Sequence, residues 1–235
     1  MSEKTLSDLR REEVATRVML PNKSARTKFA ILNAASQFLK IQPFRDLEVG
    51  ILMADAGYSR PTFYQYFHDL HDLMETLLDE VKDAIIEGAQ PWLSGKTDPS
   101  ATLQLSLTAL VDVGYERGFI LKAVADAAPG DARLEQVWEA FLDSFDEVVA
   151  LRIAQDQING VTPHFDPYPV ACALNRMDAG ILISSFGRVQ KAEKNDVLSA
   201  ILRIWMSTIY PFETKLIADH GKIRPTGSAK PQQQE

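Results

Sequence analysis

Residues 47–69 read LEVGILMADAGYSRPTFYQYFHD and carry two short helical patterns on either side of a glycine. The first helix is predicted over residues 48–56, where apolar side chains recur at helical spacing at Val49, Leu52, Met53 and Ala56. Gly57 tolerates the left-handed backbone conformation that closes many helices, so the chain can turn sharply there. Ser59 offers a hydroxyl to free backbone amides, and Pro61 is compatible with a first helical turn. A second helix is therefore predicted from Ser59, and the stretch forms a helix-turn-helix.

The second helix is short and rich in groups that suit DNA. It must end before Asp69, which has the character of an N-cap of the next helix. Such a helix can enter a major groove with its N-terminal residues against base edges, while hydroxyl and amide groups hold phosphates. The candidates for these contacts are Arg60, Thr62, Tyr64, Gln65 and Tyr66. Phe63 and Phe67 lie four residues apart and are expected to pack inward.

This stretch resembles the DNA-binding signature of the TetR family of bacterial repressors. The resemblance rests on Ala54, Gly57, Ser59, Thr62, Tyr64, Tyr66 and Phe67, on a preceding amphipathic helix (Ala30, Ile31, Ala34, Ala35, Phe38, Leu39) and on a buried Phe44. It covers residues 25–80. It implies an all-α fold, in which an N-terminal three-helix DNA-binding domain precedes a larger helical ligand-binding and dimerisation domain. The predicted DNA-binding residues are Arg26, Lys28, Ser59, Arg60, Pro61, Thr62, Tyr64, Gln65, Tyr66, His68 and His71.

One position departs from the family pattern. The family usually has a lysine in the first turn of the helix after the recognition helix, and this chain has Leu70 there. His68 or His71 can partly substitute for it. The loss of one phosphate contact lowers affinity and reduces the salt dependence by about one unit. This departure is the one support for an alternative function, a ligand-binding or protein-binding helical module that has lost operator binding.

The net charge of −7 hides an uneven distribution along the chain. Residues 1–67 carry ten Lys and Arg against seven acids, a charge of +3, and the remainder carries −10. Because the local field sets attraction to DNA, this pattern fits a basic head on an acidic body. Residues 1–22 contain three arginines and form either a mobile arm that reaches DNA or a solvated tail.

From residue 70 onward the sequence predicts only helices. Proline and glycine interrupt the apolar periodicity and so place the boundaries. One helix should end near Pro91, and others are predicted at 103–114, 119–127, 133–157, 170–187 and 196–217. The predicted organisation is a flexible basic arm at 1–22, a helix-turn-helix domain at 23–69, a ligand-binding and dimerisation domain at 70–222 and a disordered tail at 223–235.

The two closing helices, 170–187 and 196–217, are strongly apolar. Helix-turn-helix proteins normally bind two half-sites as a two-fold dimer. The TetR resemblance implies that these helices form a four-helix bundle between two protomers, so the partners are a second copy of the chain and a double-stranded DNA operator. The alternative is that both helices complete the core of a monomer.

The same helices resemble those of the mycobacterial ethionamide-resistance repressor subgroup of the family. That resemblance implies a narrow apolar tunnel for a lipophilic small-molecule effector, with Asn175 and Asp178 projecting into it. The aromatic walls would come from Trp138, Phe141, Phe145, Phe186 and Trp205. Any one of these aromatics can instead be a core residue. A polar residue on an apolar helix face needs a partner, which can be a neighbouring side chain, a water or a ligand.

Several other classes of protein are not expected. The chain has no G-x-S-x-G, P-loop, H-E-x-x-H or glycine-rich nucleotide motif, and His164, Asp166 and Cys172 lack an orienting context, so no enzyme, metal or cofactor is predicted. The single cysteine is expected to be a small buried hydrophobe. No apolar run is long enough for a membrane span, and the N-terminus lacks a signal-peptide core, which predicts a cytoplasmic protein.

Overall fold

The computed structural model describes residues 22–211, and in that range every regular element is a helix. The α-helices described are α1 (Lys23–Leu39), α2 (Val49–Ala56), α3 (Arg60–Phe63), α4 (Leu70–Leu93), α5 (Pro99–Ala127), α6 (Ala132–Ile158), α7 (Pro167–Phe186) and α8 (Lys194–Ile209). Short 3-10 turns lie at Phe44–Asp46 and Ala128–Gly130. The predicted all-α fold class is confirmed. The predicted arm and tail lie outside the described residues, apart from Asn22.

Helix α1 begins at a side-chain cap and buries one face. The Asn22 carboxamide oxygen accepts a hydrogen bond from the Ala25 amide at 2.7 Å, which satisfies a donor that the helix itself leaves free. The buried face consists of Thr27, Ile31, Leu32, Ala34, Ala35 and Leu39. Phe44, predicted to be buried, is only half-buried, and it begins the 3-10 turn that follows α1.

The turn between α2 and α3 has the predicted left-handed glycine. Gly57 has a φ of +78°, and its amide donates to the Ala54 carbonyl at 3.2 Å while the Tyr58 amide donates to the Met53 carbonyl at 2.9 Å. These bonds close α2. The predicted hydroxyl cap at Ser59 is wrong: the Ser59 side chain makes no cap bond, and its Oγ lies 2.9 Å from Thr62 Oγ1 instead.

Proline and glycine end fewer helices than the sequence predicts. Helix α4 continues through Pro91 to Leu93, because Ser106 Oγ accepts a hydrogen bond from the Trp92 amide and donates one to the Ala89 carbonyl. The bonds of Ser106 satisfy backbone groups beside the proline, which itself has no amide proton to donate. The predicted end near Pro91 is therefore close but too early.

The predicted helices 103–114 and 119–127 are one continuous helix, α5. At Gly114 and Gly118, α7 packs closely against α5. A Cβ at position 114 would lie 2.5 Å from Leu182 Cδ2, and one at position 118 would lie 3.1 Å from Phe186 Cβ. Because glycine lacks a side chain, α7 can approach α5 at these two positions.

The helix predicted at 196–217 ends early, at Ile209. Tyr210 has non-helical backbone angles (φ −122°, ψ 56°), as expected for a residue that precedes a proline. Residues beyond 211 lie outside the described part of the chain. Along α8 the buried residues are Val197, Ile201, Trp205 and Ile209, spaced four apart, so one face of the helix packs inward.

The chain divides into two compact units. The first consists of the described parts of Met1–Ala84, Val113–Phe141 and Leu182–Lys191, and the second of those of Ile85–Asp112, Leu142–Ile181 and Ala192–Glu235. The helix-turn-helix lies wholly in the first unit, and α8 lies wholly in the second. In the described range, no helix has the length and apolar character that a membrane crossing requires.

Candidate functional site

Two buried phenylalanines hold the helix-turn-helix surface in place. Phe63 is fully buried and Phe67 is 2% exposed, as predicted, and their ring centroids lie 5.5 Å apart. The Lys28 ammonium lies 5.7 Å from the centroid of the Phe67 ring. With its apolar residues turned inward, the short helix α3 presents its remaining side chains outward.

The predicted DNA-contacting residues of this segment share one exposed surface, which we call the recognition surface. Tyr64 is 54% exposed, and its ring meets that of Phe63 edge-on at 5.4 Å. Thr62 and Tyr66 are half-buried. The exposed members of the recognition surface are Ser59, Arg60, Pro61, Tyr64, Gln65 and His68, of which the last three follow α3 in a turn. Arg26 and Lys28 are also exposed, on α1.

His71 occupies a different environment from the other predicted DNA-binding residues. Its Nε2 lies 2.6 Å from Asp131 Oδ2, and its ring meets Phe44 edge-on at 5.6 Å. This hydrogen bond, against a smaller effect of burial, lowers the pKa of Asp131. The His71 imidazole is therefore engaged by a carboxylate of its own chain. Leu70 itself is half-buried at the start of α4.

A second ion pair lies beside His71 and was not predicted from the sequence. Arg133 Nη1 lies 2.6 Å from Asp69 Oδ2, while Asp69 Oδ1 accepts a hydrogen bond from the Asp72 amide at 2.9 Å. The backbone bond, together with Arg133, lowers the pKa of Asp69 despite its partial burial. Asp69 thus caps α4 as predicted. It also bonds to the first turn of α6, 64 residues away, which no local pattern could reveal.

The seven predicted ligand-binding residues fall into both compact units. In the first unit, Trp138 stacks on Phe141 with ring centroids 5.5 Å apart, and fully buried Phe186 meets Tyr115 edge-on at 5.4 Å. In the second unit lie half-buried Phe145 and Asn175, with buried Asp178 and Trp205.

Both polar members of this set have protein partners. Asn175 Nδ2 donates to Asp146 Oδ1 at 2.8 Å, and Arg176 Nη1 donates to Asp146 Oδ2 at 2.5 Å. Although burial acts to raise it, the pKa of Asp146 is lowered by hydrogen bonds from Asn175, Cys172 and Arg176. The sequence left the partner of Asn175 open, and the structure identifies it as a carboxylate of the same chain.

Asp178 is 5% exposed, and its carboxyl group accepts hydrogen bonds from Trp205 Nε1 at 3.0 and 3.2 Å. Burial raises the pKa of Asp178 to about 8, since the indole donor offsets only part of the desolvation of the charged form. The group is therefore a neutral carboxylic acid near neutral pH. A protonated carboxyl can donate one hydrogen bond as well as accept.

A buried polar cluster in the second unit was missed at the level of sequence. Trp92 Nε1 donates to Tyr210 Oη at 2.8 Å, and Tyr210 Oη donates to Asp156 Oδ2 at 2.5 Å. Arg152 Nη1 lies 2.7 Å from Asp156 Oδ1. Burial and the bond to Asp156 raise the pKa of Tyr210. The residues of this cluster are up to 118 positions apart in the chain, so helical periodicity in the sequence could not reveal the cluster.

A pocket of about 480 Å³ lies in the second unit beside this cluster. It is lined by Leu93, Ser94, Gly95, Val148, Leu151, Arg152, Gln155 and Asn159. None of the seven predicted ligand-binding residues is among them.

Two further observations concern the potential metal ligands and the single cysteine of the described residues. Across residues 22–211 no group of three or more His, Cys, Asp and Glu side chains could hold a metal ion. Burial, followed by the neighbouring Asp146, raises the pKa of the Cys172 thiol, which disfavours the nucleophilic thiolate.

Known proteins similar to this chain are regulators. Residues 103–211 match the family described as transcriptional regulator EthR, C-terminal domain. The HTH-type transcriptional regulator EthR of Mycobacterium tuberculosis (strain ATCC 25618 / H37Rv) is 27% identical over 187 residues, which cover 78% of this chain and 87% of that protein. The EthR protein of Mycolicibacterium smegmatis is 23% identical over 184 residues, which cover 77% of this chain and 85% of that protein.

Solved structures share the fold. NalD, the secondary repressor of the MexAB-OprM multidrug efflux pump in Pseudomonas aeruginosa, superposes with a TM-score of 0.65 at 19% identity, covering 81% of this chain and 98% of its own. Regulatory protein TetR from Rhodobacter sphaeroides superposes with a TM-score of 0.61 at 17% identity, and the match covers 77% of this chain and 97% of that chain. In fold and in sequence the chain resembles TetR-family transcriptional regulators, a class of DNA-binding proteins. Within this class it resembles EthR.

Proposed function

We propose that this regulator is a homodimeric repressor that binds a palindromic operator and releases it when a lipophilic small molecule binds. The observation that carries the proposal is the recognition surface: the left-handed turn at Gly57 presents exposed Arg60, Tyr64 and Gln65 above buried Phe63 and Phe67. Polar groups on a rigid apolar base can enter a major groove without unfolding the core.

Within the recognition surface we assign two kinds of contact. Arg60 reads a base edge, because it is at the N-terminus of α3 and its guanidinium can bond bidentately to guanine. The remaining residues position the helix on phosphates and sugars. They are Ser59, Pro61, Thr62, Tyr64, Gln65, Tyr66 and His68, and exposed Arg26 and Lys28 of α1 add two further phosphate contacts. His71 is left out of this set because it is bonded to Asp131.

The dimer is proposed to form through the outer faces of α7 and α8. On α7, Ala173 and Gly180 are exposed, and no atom lies within 4 Å of the position where a Cβ of Gly180 would be. On α8, Ile204 is exposed at the side of the buried face. Small residues on one helix and an exposed apolar side chain on the next allow close helix packing with a second copy.

The effector is proposed to be a lipophilic molecule that contacts the predicted aromatic set. Asn175 and Asp178 already have partners, so a ligand must add to these bonds or replace them. Asp178, as a neutral acid, can offer a ligand both a donor and an acceptor. Linkage limits the response: the effector weakens operator binding only as far as it discriminates between the DNA-binding conformation and another one.

The test is binding of the full chain to the DNA upstream of its own gene and of the divergent neighbour, at two salt concentrations, with and without candidate lipophilic effectors. Specific, salt-sensitive retention at a palindrome, lost on adding an effector, supports the proposal. An effector that binds the protein yet leaves operator affinity unchanged contradicts the release mechanism. Half-sites should lie about one DNA turn apart, roughly 34 Å.

The alternative is a helical ligand-binding or protein-binding module that has lost operator binding. Its support is Leu70, which replaces a phosphate-binding lysine of the family. A genome-wide selection of bound DNA fragments discriminates the two functions, since a module without operator binding enriches no sequence at any salt concentration.

A further inference from the structure

The pocket beside the buried cluster of the second unit has the size of a small-molecule site. Its volume of about 480 Å³ falls within the range of roughly 300 to 1,000 Å³ that such sites occupy. Its apolar lining consists of Leu93, Val148 and Leu151, and Leu151 is 68% exposed. A molecule in the pocket would cover these side chains, and removing their apolar surface from water is favourable.

The polar part of the pocket is an arginine with an unused donor. The Arg152 side chain is 5% exposed, its Nη1 bonds to Asp156, and its guanidinium lies 5.6 Å from the centroid of the Trp92 ring. Its Nε is buried and has no hydrogen-bond partner among residues 22–211. A buried donor without an acceptor is destabilising, and more so when it is charged, so an acceptor that reaches this atom is stabilising.

Gly95 brings the loop after α4 against the same guanidinium. It has a φ of +63°, a conformation that favours glycine, and a Cβ there would lie 3.0 Å from Arg152 Nη1 and 3.4 Å from Cζ. The loop backbone thus closes one side of the pocket over the arginine. Gln155 and Asn159 lie at the rim, where Gln155 Nε2 donates to Asn159 Oδ1 at 3.3 Å.

We propose that this pocket binds a small neutral molecule with an apolar body and a carbonyl oxygen, which accepts a hydrogen bond from Arg152 Nε. The oxygen is neutral because Asp156 already balances the arginine at 2.7 Å and repels a second anion. Because Nε is shielded from solvent, the Arg152 side chain must shift to meet the oxygen, and a slender carbonyl requires a smaller shift than a bulky phosphate. The apolar body lies on Leu93, Val148 and Leu151. This site is separate from the seven residues assigned to the effector and does not depend on DNA binding.

The test is a titration of the full chain with octanamide, followed by two-dimensional ¹H–¹⁵N NMR. We expect the Arg152 Nε–H resonance to shift, together with the backbone amides of Ser94, Gly95 and Gln155. Octanoate, which has the same chain and a negative charge, should bind at least tenfold more weakly. The readout contains no DNA, so its failure is distinct from failure of the proposed repressor function.

Two variants make the result specific. Gln155→Trp places a large side chain at the rim and should abolish the octanamide shifts, whereas Gln136→Trp, the same exchange at an exposed position of α6 outside the pocket, should preserve them. Three results would overturn the proposal: no shift up to the solubility limit of octanamide, shifts at Asp178 and Trp205 that persist in Gln155→Trp, or tighter binding of octanoate.

Discussion

At the scale of single residues, the polar groups divide into those turned outward and those paired inside. Arg60, Tyr64 and Gln65 are exposed on the recognition surface, where a water shell can be exchanged for DNA. Asp178 and Asn175, which the sequence marks as equally unusual, are paired with Trp205 and Asp146. Burial and partner therefore decide the role of each residue, and each role can be tested by one substitution.

Arg60→Ala should relax sequence preference at a single operator position. If Arg60 reads a guanine edge, the discrimination lost there is about 1 to 3 kcal/mol, because one bidentate base contact disappears. Binding to a panel of single-base operator variants measures this. Arg45→Ala, at an exposed position outside the recognition surface, should leave the panel unchanged. Equal weakening on every sequence would mark Arg60 as a phosphate contact.

Tyr64→Ala should weaken operator binding and leave folding nearly intact. The ring is 54% exposed and contacts Phe63 only edge-on, so its removal takes little from the core. Operator titration and thermal unfolding of the same variant measure the two effects, with Leu105→Ala, an exposed side chain on α5, as the control. A large loss of thermal stability would show that Tyr64 supports the fold.

Asp178→Asn should change how stability depends on pH. With a pKa of about 8 in the folded protein and 3.8 as reference, the native state holds a proton that the unfolded chain has lost between these values. The free energy of unfolding contributed by this group therefore falls as pH rises from about 4 to 8. The neutral amide removes that loss, so the free energy of unfolding of the variant relative to the wild type should be higher at pH 9 than at pH 4, by an amount on the order of 6 kcal/mol.

Denaturant unfolding of both proteins at pH 4 and pH 9 measures this difference. Equal differences at the two pH values would show that Asp178 titrates normally in the folded protein.

At the scale of elements, the glycines of α5 allow a neighbouring helix to pack closely, whereas a glycine of α7 is exposed. Gly114 and Gly118 of α5 have α7 atoms within about 3 Å of a built Cβ, whereas Gly180 of α7 has open space around it. An exposed glycine in a helix interior is destabilising by roughly 0.5 to 1 kcal/mol relative to alanine. Such a residue is consistent with a partner that approaches closely.

Gly180→Arg should therefore convert the proposed dimer into monomers without damaging the protomer. A Cβ added at position 180 has open space around it, and the arginine side chain would occupy the space of the proposed second copy. Sedimentation velocity across a concentration series measures the change. Gly50→Arg, at another exposed glycine with open space on α2, should remain dimeric. An unchanged dimer in Gly180→Arg would place the interface elsewhere.

At the scale of the whole molecule, charge is distributed so that an acidic protein can bind an acidic polymer. The total is −7, yet residues 1–67 carry +3. Because salt screens charges beyond about 10 Å, the basic residues next to the phosphates dominate the interaction. Operator affinity should accordingly fall steeply with salt despite the net charge.

Lys28→Ala should reduce the slope of log affinity against log salt by about one unit, since one released counterion is lost. Operator titrations at four salt concentrations measure the slope. Lys96→Ala, an exposed lysine of the second unit, should leave it unchanged. If both variants shift the slope alike, long-range charge rather than contact governs binding.

The sequence by itself determined the features that depend on neighbours in the chain. The glycine turn, the inward Phe63 and Phe67, the cap at Asp69 and the helical class all follow from spacing over a few residues. Even so, local signals misplaced some boundaries. Pro91 and Gly114 suggested breaks, and the structure has continuous helices there, because Ser106 satisfies backbone groups beside the proline and Leu182 packs on the glycine.

Only the tertiary structure decided which polar groups meet. Asp178 and Trp205 are 27 residues apart, Asn175 and Asp146 are 29 apart, and His71 and Asp131 are 60 apart. Helical periodicity tells which face of a helix is apolar, but it carries no information on which other helix lies against that face. The partners of these side chains, and the pocket at Arg152, arise from that packing.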